Sequence, residues 1–142
     1  MSAFSPRYLL NIILVSSLVG IAPMSMANTA TSGANPIITE KDDVITVVAN
    51  KPQFTIRLPA NPTTGYLWSI KHYNDHFISL QKQRYVAGSG GRIGSGGYSL
   101  WSFKVKPAAL KASHRFDITL IYGRPWEKQA AKQKVFHVVT KP

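Results

Sequence analysis

The feature that most constrains how this chain can fold is a series of short segments in which apolar and polar residues alternate one by one. Phe54, Ile56 and Leu58 alternate with Thr55 and Arg57, and Trp101, Phe103 and Val105 alternate with Ser102, Lys104 and Lys106. Phe116, Ile118, Leu120 and Tyr122 do the same against Arg115, Asp117 and Thr119. A period of two sends successive side chains to opposite faces, so each segment reads as a strand with one face in a core and the other in water. Less regular apolar runs at residues 44–48, 66–70, 77–80, 83–86 and 134–140 extend the series, and turn-forming residues separate nearly all of them. No segment holds a helical period over a useful length.

Strands of this kind, with turn signals roughly every ten residues, predict an all-β fold: an immunoglobulin-like antiparallel β-sandwich of seven to eight strands. The Cys and Trp pattern of antibody domains is missing, so only the architecture carries over. A chain of 142 residues with 44% hydrophobic content supports one packed core. There is no cysteine, which removes a disulfide framework, a thiolate nucleophile and a Cys-based zinc site together.

The N-terminus reads as a separate unit. Arg7 precedes an apolar run at residues 8–22, broken only by Asn11, Ser16 and Ser17, and Ser25-Met26-Ala27 follows as a small-x-Ala cleavage signature. Residues 1–27 are therefore expected to be a secretory signal peptide, because the run is shorter than the roughly 20 residues that span a bilayer. Residues 28–36, rich in Thr, Ser, Ala, Gly and Asn and closed by Pro36, read as a flexible leader to a domain at 37–142. The expected location is outside the cytoplasm, periplasmic or secreted, with no stable membrane insertion once the signal is removed. Lys and Arg number 17 against 6 Asp and Glu, with Arg7 inside the signal. A field of that sign attracts acidic partners. Export and the scatter of the cations along the chain argue against nucleic acid, leaving a solvated basic surface able to touch an anionic envelope.

Three stretches fall between expected strands as loop tips. In Asn61-Pro62-Thr63-Thr64-Gly65-Tyr66, Pro62 fixes one backbone angle, Asn61 is suited to bonding its own downstream backbone, and Gly65 permits a positive φ. This is either a stiff polar wedge for a partner's cleft or an ordinary turn whose threonines cap the backbone. Gly94-Ser95-Gly96-Gly97 has almost no side chains, so it either offers its backbone to another surface or acts as a linker; Gly88-Ser89-Gly90-Gly91 repeats the same residues just upstream. Arg124-Pro125-Trp126 joins the two residue types most enriched among interface hot spots. Its alternative is a cap in which Trp126 folds back on the sandwich with Arg124 stacked on it.

Taken as an ordered set, these loops resemble the chagasin family of cysteine-peptidase inhibitors, over about residues 37–139. The resemblance implies an immunoglobulin-like sandwich that binds papain-family cysteine peptidases reversibly and tightly. Asn61, Pro62, Thr63, Thr64, Gly65 and Tyr66 would then enter the active-site cleft, with Thr63 and Thr64 nearest the catalytic Cys/His pair. Gly94, Ser95, Gly96 and Gly97 would pair along one rim, and Arg124, Pro125 and Trp126 would pack on the other. The second glycine copy is assigned to the motif because Trp101 falls four residues after Gly97, where the family has an aromatic. The tandem copy is a departure that lengthens this loop. The implied partner is a peptidase of the producer or of a host, bound by a monomer that needs no cofactor or metal.

The residues bear on two other classes. For catalysis, His72, His76, His114 and His137 with six carboxylates give no signature nucleophile; His72 and His76 have a spacing seen in zinc sites, but nothing nearby completes a ligand set. The other class is a non-catalytic envelope module that binds through the same loops or through its basic face.

Overall fold

The computed structural model describes residues 34–90 and 94–142. The expected signal peptide and most of the expected leader lie outside the described residues. Eight strands run β1 Ile37–Thr39, β2 Val44–Val48, β3 Gln53–Ala60, β4 Leu67–Tyr73, β5 Ile78–Ala87, β6 Gly97–Val105, β7 Arg115–Gly123 and β8 Lys132–Lys141. They form two four-stranded sheets, ordered β1-β3-β6-β5 and β2-β8-β7-β4.

The alternation does what the sequence predicts. Phe54, Ile56, Leu58, Trp101, Phe103, Val105, Phe116, Ile118 and Leu120 are all buried between the sheets, where Phe54 and Phe103 stack at 5.6 Å. Phe136 and Val138 of β8, Ile45 and Val47 of β2 and Trp68 of β4 complete the core. Removing this apolar surface from water is what holds a cysteine-free domain together.

Several local expectations are corrected. The runs at 77–80 and 83–86 are one strand, β5, which carries a register shift between Leu80 and Lys82 opposite β6. One extra residue there breaks the alternation that would have joined the runs in sequence. Tyr66 precedes β4 rather than opening it, and Gly97 is not loop tip but the first residue of β6, paired with Ala60 and Ala87. The main hairpins are antiparallel, whereas the short N-terminal strands pair parallel, β1 with β3 and β2 with β8. β1 is not among the strands the sequence predicts, since three residues are too few to show a period. Pro59 is tolerated within β3 because β1 pairs only with Thr55, Ile56 and Arg57, which leaves the Pro59 side of the strand without a neighbour that needs its missing N–H.

Register fixes which end of the sandwich carries the loops. Ala60 and Ala87 both pair with Gly97, while Gly123 pairs with Leu67 and Tyr122 with Lys132. The β5–β6 connection stays in one sheet and the β7–β8 connection in the other. The β3–β4 connection crosses between them.

Candidate functional site

The crossing connection is built as a closed turn. Asn61 is followed by a single 3-10 turn, Pro62–Thr64, with Pro62 in its first position and Gly65 closing it at φ 80°. Proline suits the start because its missing N–H had no partner there, and only glycine enters the left-handed region without strain. Thr64 N–H donates to the Asn61 carbonyl at 3.2 Å and Gly65 N–H to the Pro62 carbonyl at 3.0 Å. The threonine hydroxyls tighten the turn: Thr64 Oγ1 donates to the Asn61 carbonyl at 2.7 Å and Thr63 Oγ1 to Asn61 Oδ1 at 2.6 Å. The backbone capping expected of an ordinary turn is present, and it also makes the segment stiff. The Asn61 side chain does not bond its own downstream backbone as expected. Its Nδ2 reaches across to the Gly94 carbonyl at 3.2 Å.

That bond ties the first loop to the second. Gly94 and Gly96 take φ 85° and 72°, and Gly88 N–H donates to the Gly96 carbonyl at 2.9 Å. Gly88, the first residue of the upstream copy, thus faces Gly96 across the hairpin and extends the β5–β6 pairing by one backbone bond. A Cβ on Gly96 would stand 3.4 Å from the Ala60 carbonyl, so this arm lies close along the end of β3. At Gly97 a Cβ would collide with the Val86 carbonyl and lie 2.6 Å from the Tyr85 hydroxyl, so this position admits only glycine.

The third loop is fastened to the first from the other side. Arg124 Nε donates to the Thr64 carbonyl at 3.3 Å, its Nη1 pairs with Glu127 Oε1 at 3.2 Å, and its guanidinium lies 4.4 Å over the Tyr66 ring. Tyr66 stacks on Tyr122 at 5.4 Å, and Tyr122 in turn meets Trp68 at 5.0 Å. Trp68 Nε1 donates to the Pro59 carbonyl at 2.9 Å, closing the base of the crossing loop. The alternative of Trp126 as a cap with Arg124 stacked on it is corrected: Arg124 stacks on Tyr66, and Trp126 stays 71% exposed. The Trp126 ring touches the sandwich at Gly65, where a Cβ would lie 2.9 Å from its Cη2.

All thirteen residues singled out in the sequence come together at one end, with Gly97 as the root of the second loop rather than its tip. Sequence reasoning missed the floor beneath them, Trp68 and Tyr122, and the Glu127 carboxylate that orients Arg124. The signals were present: Tyr122 ends an alternating strand, and Glu127 lies three residues after Arg124. Among the described residues no group of three His, Asp or Glu side chains could hold a metal ion. His72 lies exposed on β4, and His76, exposed after it, packs on Phe77 at 5.1 Å. The thirteen loop residues offer hydrogen-bonding backbone, the hydroxyls of Thr63, Thr64, Tyr66 and Ser95, one paired cation and one exposed indole.

The protein is thus a two-sheet sandwich with three loops at one end, the second and third each tied to the first. The chain belongs to the chagasin family: residues 47–139 match the family described as Chagasin family peptidase inhibitor I42, a span that contains all three loops. It is similar to Amoebiasin-2 of Entamoeba histolytica, 35% identical over 102 residues that make up 70% of this chain and 79% of the relative. Among solved structures it resembles the cysteine protease inhibitor EhICP2 from Entamoeba histolytica, with a TM-score of 0.60, 29% identity and coverage of 74% of this chain and 93% of that one. It also resembles the solution structure of Amebosin, with a TM-score of 0.55, 27% identity and coverage of 77% and 98%. Members of this family are peptidase inhibitors, not enzymes.

Proposed function

We propose that the chain is an exported, reversible and tight-binding inhibitor of papain-family cysteine peptidases that occludes the active-site cleft with its three loops. The observation that carries this reading is the bracing of the loops at one end of the sandwich: Asn61 to Gly94 on one side and Arg124 to Thr64 on the other. The crossing loop stands between the two hairpins and enters the cleft, while Gly94-Ser95-Gly96 and Arg124-Pro125-Trp126 grip its rims. Loops already held in place lose little conformational entropy on docking, which favours tightness. The Pro62–Thr64 backbone is coiled into a turn rather than extended, so it presents no strand-like scissile bond, which favours reversibility. The cysteine-peptidase class is supported by EhICP2, a cysteine protease inhibitor of the same fold. Export rests on residues 1–27, the unit of action is a monomer, and the target belongs to the producer or to a host.

The test is to titrate the purified protein into a papain-type cysteine peptidase and, in parallel, a serine peptidase. Stoichiometric loss of activity in the first alone, with the inhibitor recovered uncleaved, is expected. Unchanged activity across a panel of papain-type enzymes would sink the proposal.

A further inference from the structure

The sheet β1-β3-β6-β5 has an outer face that takes no part in the loops. Register partners share a face, and Arg57 stands opposite Leu100, Leu100 opposite Arg84, and Lys82 opposite Ser102. Arg57 and Arg84 therefore flank Leu100 at two strand spacings, about 10 Å, and Lys82 follows Arg84 at about 7 Å along β5. Lys104, two residues beyond Ser102 on β6, joins the same face. Lys82, Arg84 and Lys104 are exposed and Arg57 is half-buried.

Among the described residues none of these four cations has a carboxylate within ion-pair distance. The six Asp and Glu of the chain are engaged or placed elsewhere. Glu40 pairs with Lys132, Asp43 with Lys134, Asp117 with His137 and Glu127 with Arg124. Asp42 is bonded to Thr39 beyond the β1 edge, and Asp75 sits in the turn between β4 and β5. The positive field of the face is thus not compensated from within.

Charge alone describes many solvated surfaces, and Arg57 supplies the second observation. Its guanidinium lies 4.7 Å over the ring of Tyr98 on the same face. A planar guanidinium held on an aromatic ring is preorganised to donate in pairs to a carboxylate or sulfate. The same contact covers one side of Tyr98, the aromatic that a single-stranded nucleic acid would need for base stacking. The indole most available to a bilayer, Trp126, is at the loop end and not on this face.

We propose that this face binds a linear anionic polysaccharide bearing carboxylate or sulfate groups, through Arg57, Lys82, Arg84 and Lys104. Cations spaced along and across this face meet the regular charges of an extended glycan laid over it. Because the face is a flank of the sandwich and the loops are its end, glycan and peptidase are held together, and the inhibitor is retained on a polyanionic surface.

The experiment measures binding of the full protein to heparin, a polyuronate, neutral dextran and phosphatidylglycerol vesicles at about 0.15 M salt, where only clustered charges still act strongly. The expected result is salt-sensitive binding to the two polyanions and none to dextran. The variant R57Q/K82Q/R84Q/K104Q should weaken it by about tenfold or more, and a set of equal charge elsewhere, K41Q/K71Q/K111Q/K141Q, by less than about threefold. Thermal midpoints read folding independently of inhibition, and the milder K82Q/R84Q variant, confined to the edge strand, should still lose severalfold if the larger set fails to fold. Equal weakening by both sets, no binding to either polyanion, or vesicles bound more tightly through the same four residues would each overturn the proposal.

Discussion

Replacing Trp126 by Ala separates binding from folding more sharply than any other change in this domain. The side chain is 71% exposed, so under a third of its surface is covered by the protein. Full burial of a large aromatic makes its truncation cost 3–5 kcal/mol, and scaling to this coverage gives about 1 kcal/mol, a fall in melting temperature of roughly 4–8 °C. An interface hot spot of this residue type is worth about 2–4 kcal/mol, or roughly 30- to 1000-fold in the inhibition constant. The assay pairs a thermal melt with inhibition of a papain-type peptidase well below the melting temperature. The expected outcome is a small loss of stability and a large loss of affinity, with Trp126→Phe intermediate in the second. A domain that unfolds on truncation, or one that inhibits within about threefold of the parent, contradicts the reasoning. The first outcome would make Trp126 a cap, and the second would remove it from the contact surface.

Two further perturbations read the loop bracing and the turn that follows β1. Gly65→Ala and Gly94→Ala both place an L residue at positive φ, 80° and 85°, at about 1–2 kcal/mol each. Only at Gly65 does the new Cβ meet Trp126 Cη2, at 2.9 Å, whereas Gly94 has open space; the excess melting-temperature loss of Gly65→Ala therefore measures the Trp126 contact, and no excess means that the ring swings away freely. Acid provides the other perturbation. The Thr39 amide and hydroxyl hold the Asp42 carboxyl below its ordinary value of 3.8, and the Lys134 ammonium does the same for Asp43. A depressed carboxylate adds stability that is fully present above its unfolded value and is lost as pH falls through the folded one. Asp43→Asn should thus melt slightly lower than the parent at neutral pH and together with it once the pH lies well below 3.8; a gap that persists in acid would assign the loss to something other than this charge.

How much was legible in the sequence follows from what each residue answers to. Phe54, Ile56, Leu58, Trp101, Phe103 and Val105 answer to one buried face, so their period of two appears in the chain and fixes both strands. β5 answers to two demands, since its register shift and exposed edge let Gln81, Lys82 and Gln83 stay polar in succession, and its unity was hidden. β1 is too short to have a period at all. In the site, residue types announced a stiff turn and an exposed aromatic, but partnerships over long separations did not show. Arg124 lies 60 residues from Thr64 and Asn61 lies 33 from Gly94, and nothing local distinguishes Arg124 over Tyr66 from Arg124 over Trp126.

Topology then explains why departures fall where they do. The crossing loop has six residues, 61–66, in which to pass from one sheet to the other, a separation of about 10 Å between packed sheets. It is short, closed on itself by five hydrogen bonds and held from both flanks, so an added residue would have to be absorbed against Gly94 and Arg124 at once. The hairpins carry no such constraint: nine residues join β5 to β6 and eight join β7 to β8, each with both ends anchored in a single sheet. In the β5–β6 hairpin Gly88 of the upstream copy is bonded to Gly96, and Gly94 of the second copy accepts from Asn61. The two hairpins can therefore change length while the crossing loop stays fixed; under the proposed function, choice of partner then falls to the hairpins and the common wedge to residues 61–66.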